Sequence, residues 1–166
     1  MEHVKVIVAD ITSLQVDAIV NAANRTLLGG GGVDGAIHRA AGRRLYEECK
    51  TLGGCETGQS KITGAYNLPC KYVIHTVGPV YSNYNEHKAA ELLASCYRTA
   101  MKIAKEKSLS SIAFSCISTG IYGFPKQAAA QIALSTIKEC IVEGFDGEVI
   151  ICCFDEVAKM YYYKIM

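Results

Sequence analysis

Apolar and polar positions along this chain follow two alternating rhythms. Val4–Val8, Ala18–Asn21, Ser111–Cys116 and Glu148–Phe154 are short, largely apolar runs, as expected of buried strands. Elsewhere apolar residues return every three or four positions. Glu86–Lys107 is the clearest helix, with Ala89, Leu92, Leu93, Cys96, Ala100, Ile103 and Ala104 on one stripe. Gly35–Lys50 reads as another, with Ile37, Ala40, Ala41, Leu45 and Cys49 on one side and Asp34 placed to cap it. Thr51–Gly58 is a glycine-rich loop, and Lys61–Tyr66 and Tyr72–Val77 are strands joined by a turn at Asn67-Leu68-Pro69. Pro125 suits the first turn of a helix ending near Glu143, and Asp155–Ile165 closes the chain as a helix.

This alternation predicts an α/β fold: a mixed, largely parallel sheet covered by helices on both faces, a three-layer α/β/α sandwich formed by residues 1–166 as one domain. Ligands of such sheets bind beyond the carboxyl ends of the strands. The segments that matter therefore follow Val8, Val20 and Cys116, together with the tip after Ile151.

Composition narrows the function classes. With 166 residues the chain can bury a real core, and a net charge of +1 argues against a nucleic-acid-binding stripe. An anionic ligand would have to be held by backbone N–H groups and helix ends. Met1-Glu2-His3-Val4-Lys5 lacks the features of a secretory signal, and no apolar run approaches the roughly 20 residues of a membrane helix. The eight cysteines form no CxxC pair and no cluster with zinc-finger spacing. Reduced, buried thiols in a cytoplasmic, monomeric protein are the expectation, with no metal, no cofactor, no nucleic acid and no membrane partner.

The strand-end segments carry the candidate chemistry. Ala9-Asp10-Ile11-Thr12 follows the first strand; Asn21-Ala22-Ala23-Asn24 and then Gly29–Gly32, Val33 and Asp34 follow the second; Ile117–Pro125 follows the fifth. Four consecutive glycines before a helix are entropically costly, yet they let backbone approach a ligand beside free helix N–H groups. Ser118, Thr119, Gly120, Ile121, Tyr122 and Gly123 have the same character, so a site for two phosphates is one reading and simple turns the other. Neither segment matches the P-loop or the GxGxxG fingerprint. Asp34 reads either as a cap or as a carboxylate able to orient or deprotonate water. His38, at i+4 on the same helix face, is either a partly exposed helix histidine or a partner of Asp34 or of the ligand. Asn24 suits a turn or a ribose diol, and Asp10 an Asx turn or an adenine amino group. Tyr122 and Phe154 are core residues by type, but their positions would let them stack on a base or cover a sugar.

Five blocks of sequence, ADIT at 9–12, NAANRTLLGGGGVDGAIHRAAG at 21–42, CETGQSKITGAYNLPCKYVIHTVGP at 55–79, IAFSCISTGIYGFP at 112–125 and VIICCFDE at 149–156, resemble a macro domain of the MacroD-type branch. That resemblance implies the three-layer macro domain fold and ADP-ribose as ligand. It assigns Asp10 and the Ile11 backbone to adenine, Phe154 to stacking on it, and Gly30, Gly31, Gly32, Val33 and Ser118–Tyr122 to the diphosphate. Asn21 falls among the ligand-binding residues. Asn24 would hold the terminal ribose, Tyr122 would pack on it, Asp34 would activate water and His38 would assist. The implied activity is cleavage of esters at the terminal ribose, removing mono-ADP-ribose from glutamate or aspartate of modified proteins and acetyl from O-acetyl-ADP-ribose. The alternatives are a non-catalytic ADP-ribose reader and a regulatory protein-binding module. Two departures stand out. Ala9 replaces a usual glycine and narrows the space beside the adenine site; Ser115 replaces a common proline, which is expected to loosen the lead-in to the 118–123 loop. A zinc-bearing branch of the family places Cys and His near the catalytic loop; Cys55 is the only cysteine near such a position, so zinc is not expected.

Overall fold

A computed structural model describes residues 3–166; Met1 and Glu2, which the sequence reading places ahead of the first strand, lie outside the described residues. Six strands, β1 (Val4–Val8), β2 (Ala18–Ala23), β3 (Ser60–Gly64), β4 (Tyr72–Val77), β5 (Ser111–Phe114) and β6 (Glu148–Cys153), form one sheet in the order β1-β6-β5-β2-β4-β3. All neighbours pair in parallel except β3, which runs antiparallel to β4 on the edge, as the turn at Asn67–Pro69 requires of two strands this close in sequence.

Alternate residues of the central strands feed opposite cores. Ala18, Val20, Ile112, Phe114, Val149 and Ile151 pack under α3 (Glu86–Glu106), α4 (Lys126–Val142) and α5 (Glu156–Tyr163). Ile19, Ala113, Ile150 and Cys152 point the other way, under α1 (Gly32–Ala41) and α2 (Arg43–Thr51). The fold is therefore the expected three-layer sandwich with a mixed sheet. Among the described residues no helix is long and apolar enough to cross a membrane.

The single helix expected over Gly35–Lys50 is two. Gly42 adopts φ 91°, open to glycine but strained for other residues, and acts both as C-cap of α1 and N-cap of α2. Apolar spacing continues through the break because Ala41, Leu45 and Cys49 all still face the same core. Helix α1 also starts earlier than expected, at Gly32, with Gly31 as N-cap. Asp34 therefore lies inside the first turn and does not cap the helix.

Candidate active site

The strand order sets the layout of the carboxyl edge. Reading along β1, β6, β5 and β2, the adjoining segments carry Asp10 and Ile11, then Phe154, then Ser118–Tyr122, then Asn24–Gly32. Residues up to 144 positions apart in sequence thus share one edge because the intervening strands pair in parallel.

At the β2–α1 end, Asn21 corrects an expectation: the resemblance places it among the ligand-binding residues, but it is fully buried on its strand and donates from Nδ2 to Asp34 Oδ1 at 2.8 Å. Asp34 is only 5% exposed, so its anionic form loses much of its hydration; burial pushes its pKa up, and the bond from Asn21 and the nearby His38 partly offset this. The first turn of α1 also favours a negative charge. His38 Nε2 lies 3.5 Å from Asp34 Oδ1, an ion-pair distance when the ring is protonated. Its side chain is 13% exposed, and among the described residues Nε2 has no hydrogen-bond partner. His38 thus stands beside Asp34, as its reading as a partner of that carboxylate expects, while remaining a partly exposed helix histidine.

The glycine segment lies against this carboxylate. A methyl group at Gly30 would sit 3.2 Å from Asp34 Oδ2 and 3.4 Å from Asn24 Nδ2, so two polar side chains converge on one point of the loop. Gly35, on α1, meets the Gly30 carbonyl so closely that any side chain there would displace it. Around Gly31 and Gly32 there is open space, which leaves the start of α1 accessible to a ligand. Asn24 fulfils its turn-forming reading: Oδ1 accepts from the Thr26 hydroxyl at 2.7 Å and the Leu27 N–H at 3.1 Å, while Nδ2 donates to the Gly29 carbonyl at 2.9 Å. One Nδ2 hydrogen remains for a further partner.

The segment after β5 is also built from its own polar groups. Ser118 is buried with φ 64°, and its hydroxyl donates to the Pro79 carbonyl at 2.9 Å, so it braces the loop from inside and is not directed at a ligand. Thr119 Oγ1 donates to Cys116 O at 3.3 Å, and Tyr122 O accepts from the Tyr81 N–H at 2.9 Å. Gly120 faces open space and Ile121 is 97% exposed. Ser115 corrects an expectation: its hydroxyl donates to Val20 O at 2.7 Å, tying the loop entrance to β2 where a proline, lacking any donor, could not.

At the β1–β6 end, Asp10 Oδ1 accepts from the Thr12 N–H at 3.0 Å and the Thr12 hydroxyl at 2.7 Å, capping a short 3-10 turn at Ile11–Ser13. These bonds lower its pKa and keep it anionic. The Asx-turn reading is thus correct for one oxygen, while Oδ2 is left to accept elsewhere. The Ile11 side chain is buried, so only its backbone can face a ligand. Phe154 is 93% exposed. Ala9, the other departure from the family pattern, donates its N–H to Cys153 O at 3.3 Å and packs partly buried on the α1 side of the sheet.

Sequence reading missed His75 and Thr63. His75 is fully buried on β4, in register with Asn21, and Thr63 Oγ1 on β3 lies 2.9 Å from its Nε2. The signal was present as a histidine inside the apolar run Tyr72–Val77. All eight cysteines are free.

Comparison with known proteins agrees with the fold. The family model described as Macro domain matches residues 20–133. The mouse ADP-ribose glycohydrolase MACROD2 is 56% identical over 167 residues, covering 99% of this chain; the chain spans 35% of that protein's length. A macro domain-containing protein of Chlorobaculum tepidum is 61% identical over 149 residues, 89% of this chain and 86% of that protein. The Oceanobacillus iheyensis macrodomain with ADP superposes with a TM-score of 0.92 at 45% identity, covering 96% of this chain and 87% of the other. The Trypanosoma brucei macrodomain in complex with ADP-ribose gives 0.91 at 44% identity, covering 98% and 68%. With its strand order, its glycine segment at the start of α1 and a match that takes in most of its length, this chain belongs to the macro domain family.

Proposed function

We propose that this protein binds ADP-ribose and hydrolyses esters at its terminal ribose, releasing mono-ADP-ribose from glutamate or aspartate side chains and acetate from O-acetyl-ADP-ribose. The observation that carries this reading is the buried Asp34 carboxylate, held by Asn21 at 2.8 Å, whose second oxygen and Asn24 Nδ2 both approach Gly30, next to the open positions Gly31 and Gly32. In the proposed mechanism the start of α1 and the Gly120–Tyr122 segment receive the diphosphate, and Asn24 the ribose. Asp10 Oδ2 accepts from the adenine amino group and Phe154 stacks on the base. Asp34 takes a proton from water as the water oxygen adds to the ester carbonyl. The bond from carbonyl carbon to ribose oxygen then breaks, and that oxygen recovers the proton. A general base of this kind contributes about 10²–10⁴-fold, the remainder coming from positioning. Among the side chains at this edge, no Ser or Cys is paired with a base, which disfavours a covalent acyl intermediate. The free thiols suit action in the reducing cytosol.

The test is release of ADP-ribose from a glutamate-linked mono-ADP-ribosylated protein by wild type and by Asp34→Ala, with calorimetry of ADP-ribose binding to both. Cleavage by wild type alone, with binding by both, is expected. Binding by both without cleavage by either, of this substrate or of O-acetyl-ADP-ribose, would identify a reader instead.

A further inference from the structure

Behind Asp34 a buried line of hydrogen bonds continues past Asn21 to residues that the proposed chemistry leaves unused. The Asp34 carboxylate can only accept, so the Asn21 atom 2.8 Å from its Oδ1 is the amide nitrogen Nδ2. The same nitrogen lies 3.2 Å from His75 Nδ1, which must then accept, so Nε2 carries the ring proton. Nε2 donates to Thr63 Oγ1 at 2.9 Å, and that hydroxyl donates in turn to the Gly64 carbonyl at 3.0 Å. Each polarity follows from the one before, starting at the carboxylate. The amide of Asn21 consequently has one permitted orientation. Turned over, its oxygen would face a carboxylate oxygen and the Nδ1 lone pair together. The orientation has a cost: Asn21 Oδ1 is buried with no hydrogen-bond partner among the described residues. A strand asparagine that served packing alone would have no reason to keep it.

We propose that His75 is a positioning residue: oriented by Thr63, it fixes the amide of Asn21 so that Asn21 donates to Asp34 and holds that carboxylate in its reactive rotamer and ionisation state. The part played in catalysis rests on the hydrolase reading of Asp34; the orientation itself does not. The titratable groups facing this line are His38 on the helix of Asp34, His75 on β4 and Cys49 on α2, with Cys49 Sγ at 3.8 Å from His75 Nε2 and Glu48 beside Cys49. Burial raises Cys49 to about 11 and keeps it neutral; besides Asn21, the side chain that approaches Asp34 Oδ1 is His38, whose Nε2 lies 3.5 Å away.

Two isosteric substitutions separate the halves of the histidine. The amide of His75→Gln reaches the level of Nε2 and keeps the Thr63 contact but loses the acceptor for Asn21. His75→Asn reaches the level of Nδ1 and can accept from Asn21 through its oxygen. The readouts are kcat, the Kd for ADP-ribose, and the ionisation of Asp34 followed by its carboxyl carbon resonance across pH. The expected result is a fall in kcat of about tenfold for His75→Gln, the size of a coupling within one hydrogen-bond network, with Kd within about twofold. The Asp34 titration should move upward in His75→Gln, and His75→Asn should recover most of both effects. Equal behaviour of the two variants, with Asp34 titrating as in wild type, would overturn the proposal. Should either variant fail to fold, the nitrogen resonances of His75 in the wild-type protein decide: protonated Nε2 with bare Nδ1 is required, and the opposite tautomer refutes it. If wild type cleaves no ester, the hydrolase reading fails, while the Asp34 titration and the tautomer still report on the orientation.

Discussion

Asp34 is a residue whose burial works against stability and, under the proposed function, in favour of chemistry. A carboxylate with a raised pKa binds its proton more tightly folded than unfolded, so its contribution to stability is full below the unfolded pKa and is lost as pH rises through the folded value. At neutral pH the ionised group is therefore a liability, of the sort retained at functional sites. Asp34→Asn should abolish ester cleavage yet leave Tm at pH 7 unchanged or raised, by about 2–4 °C if about 1 kcal/mol is recovered; a clear fall in Tm would show that the charge stabilises the fold. The activity of wild type should decline on acidification at a pH above the ordinary aspartate range, because the general base must be ionised. Phe154 is the opposite case, an exposed aromatic with little to contribute to folding. Phe154→Ala should leave Tm within a degree or so but weaken ADP-ribose binding by about tenfold or more, the scale of one base–aromatic stack; calorimetry with unchanged affinity would remove it from the site. Which polar and glycine residues lie at the strand ends was legible in the sequence. Hydrogen-bond direction was not: Ser118 looked ligand-facing as a hydroxyl in a glycine-rich loop, and only its φ and the nearby Pro79 carbonyl turn it inward.

At the scale of elements, the glycine segment and α1 form one unit. The Gly30 carbonyl rests where a side chain on Gly35 would be, so the loop can lie flat on the helix only because the helix is bare at that point. Gly35→Ala should lift the loop and reduce ADP-ribose affinity at least tenfold, although alanine is about 1 kcal/mol the better helix former. Tighter binding or no change would mean that the loop is not held in this way. The sequence could not reveal this contact, because residues five apart on paper meet only once the helix start at Gly32 is known. The break at Gly42 was hidden for a related reason: periodicity reports which face is buried, and here two helices share a face.

For the whole molecule, the sheet brings the site together and its buried polar groups set the response to acid. Burial, with a smaller contribution from His38, holds His75 down to about 3, whereas in the unfolded chain it titrates near about 6.5. A depressed folded pKa means stability that is present at neutral pH and drains away as pH falls from the unfolded toward the folded value. Between pH 7 and pH 5 this one group should cost about 2 kcal/mol of unfolding free energy. Urea denaturation at the two pH values should show that loss in wild type and a smaller one in His75→Asn; identical losses would exclude His75 as the source.

The sequence by itself determined the alternation of strands and helices, the glycine segments at strand ends and the reactive residue types, because periodicity and turn chemistry are local and leave their mark in consecutive residues. Only the tertiary structure decided which strand ends adjoin, that Asp34 is gripped from β2 and not used as a cap, and that a histidine on β4 stands behind it. These depend on the parallel register of β2 with β4 and β5, which joins segments tens of residues apart, and on hydrogen-bond directions that exist only once donors and acceptors are buried together.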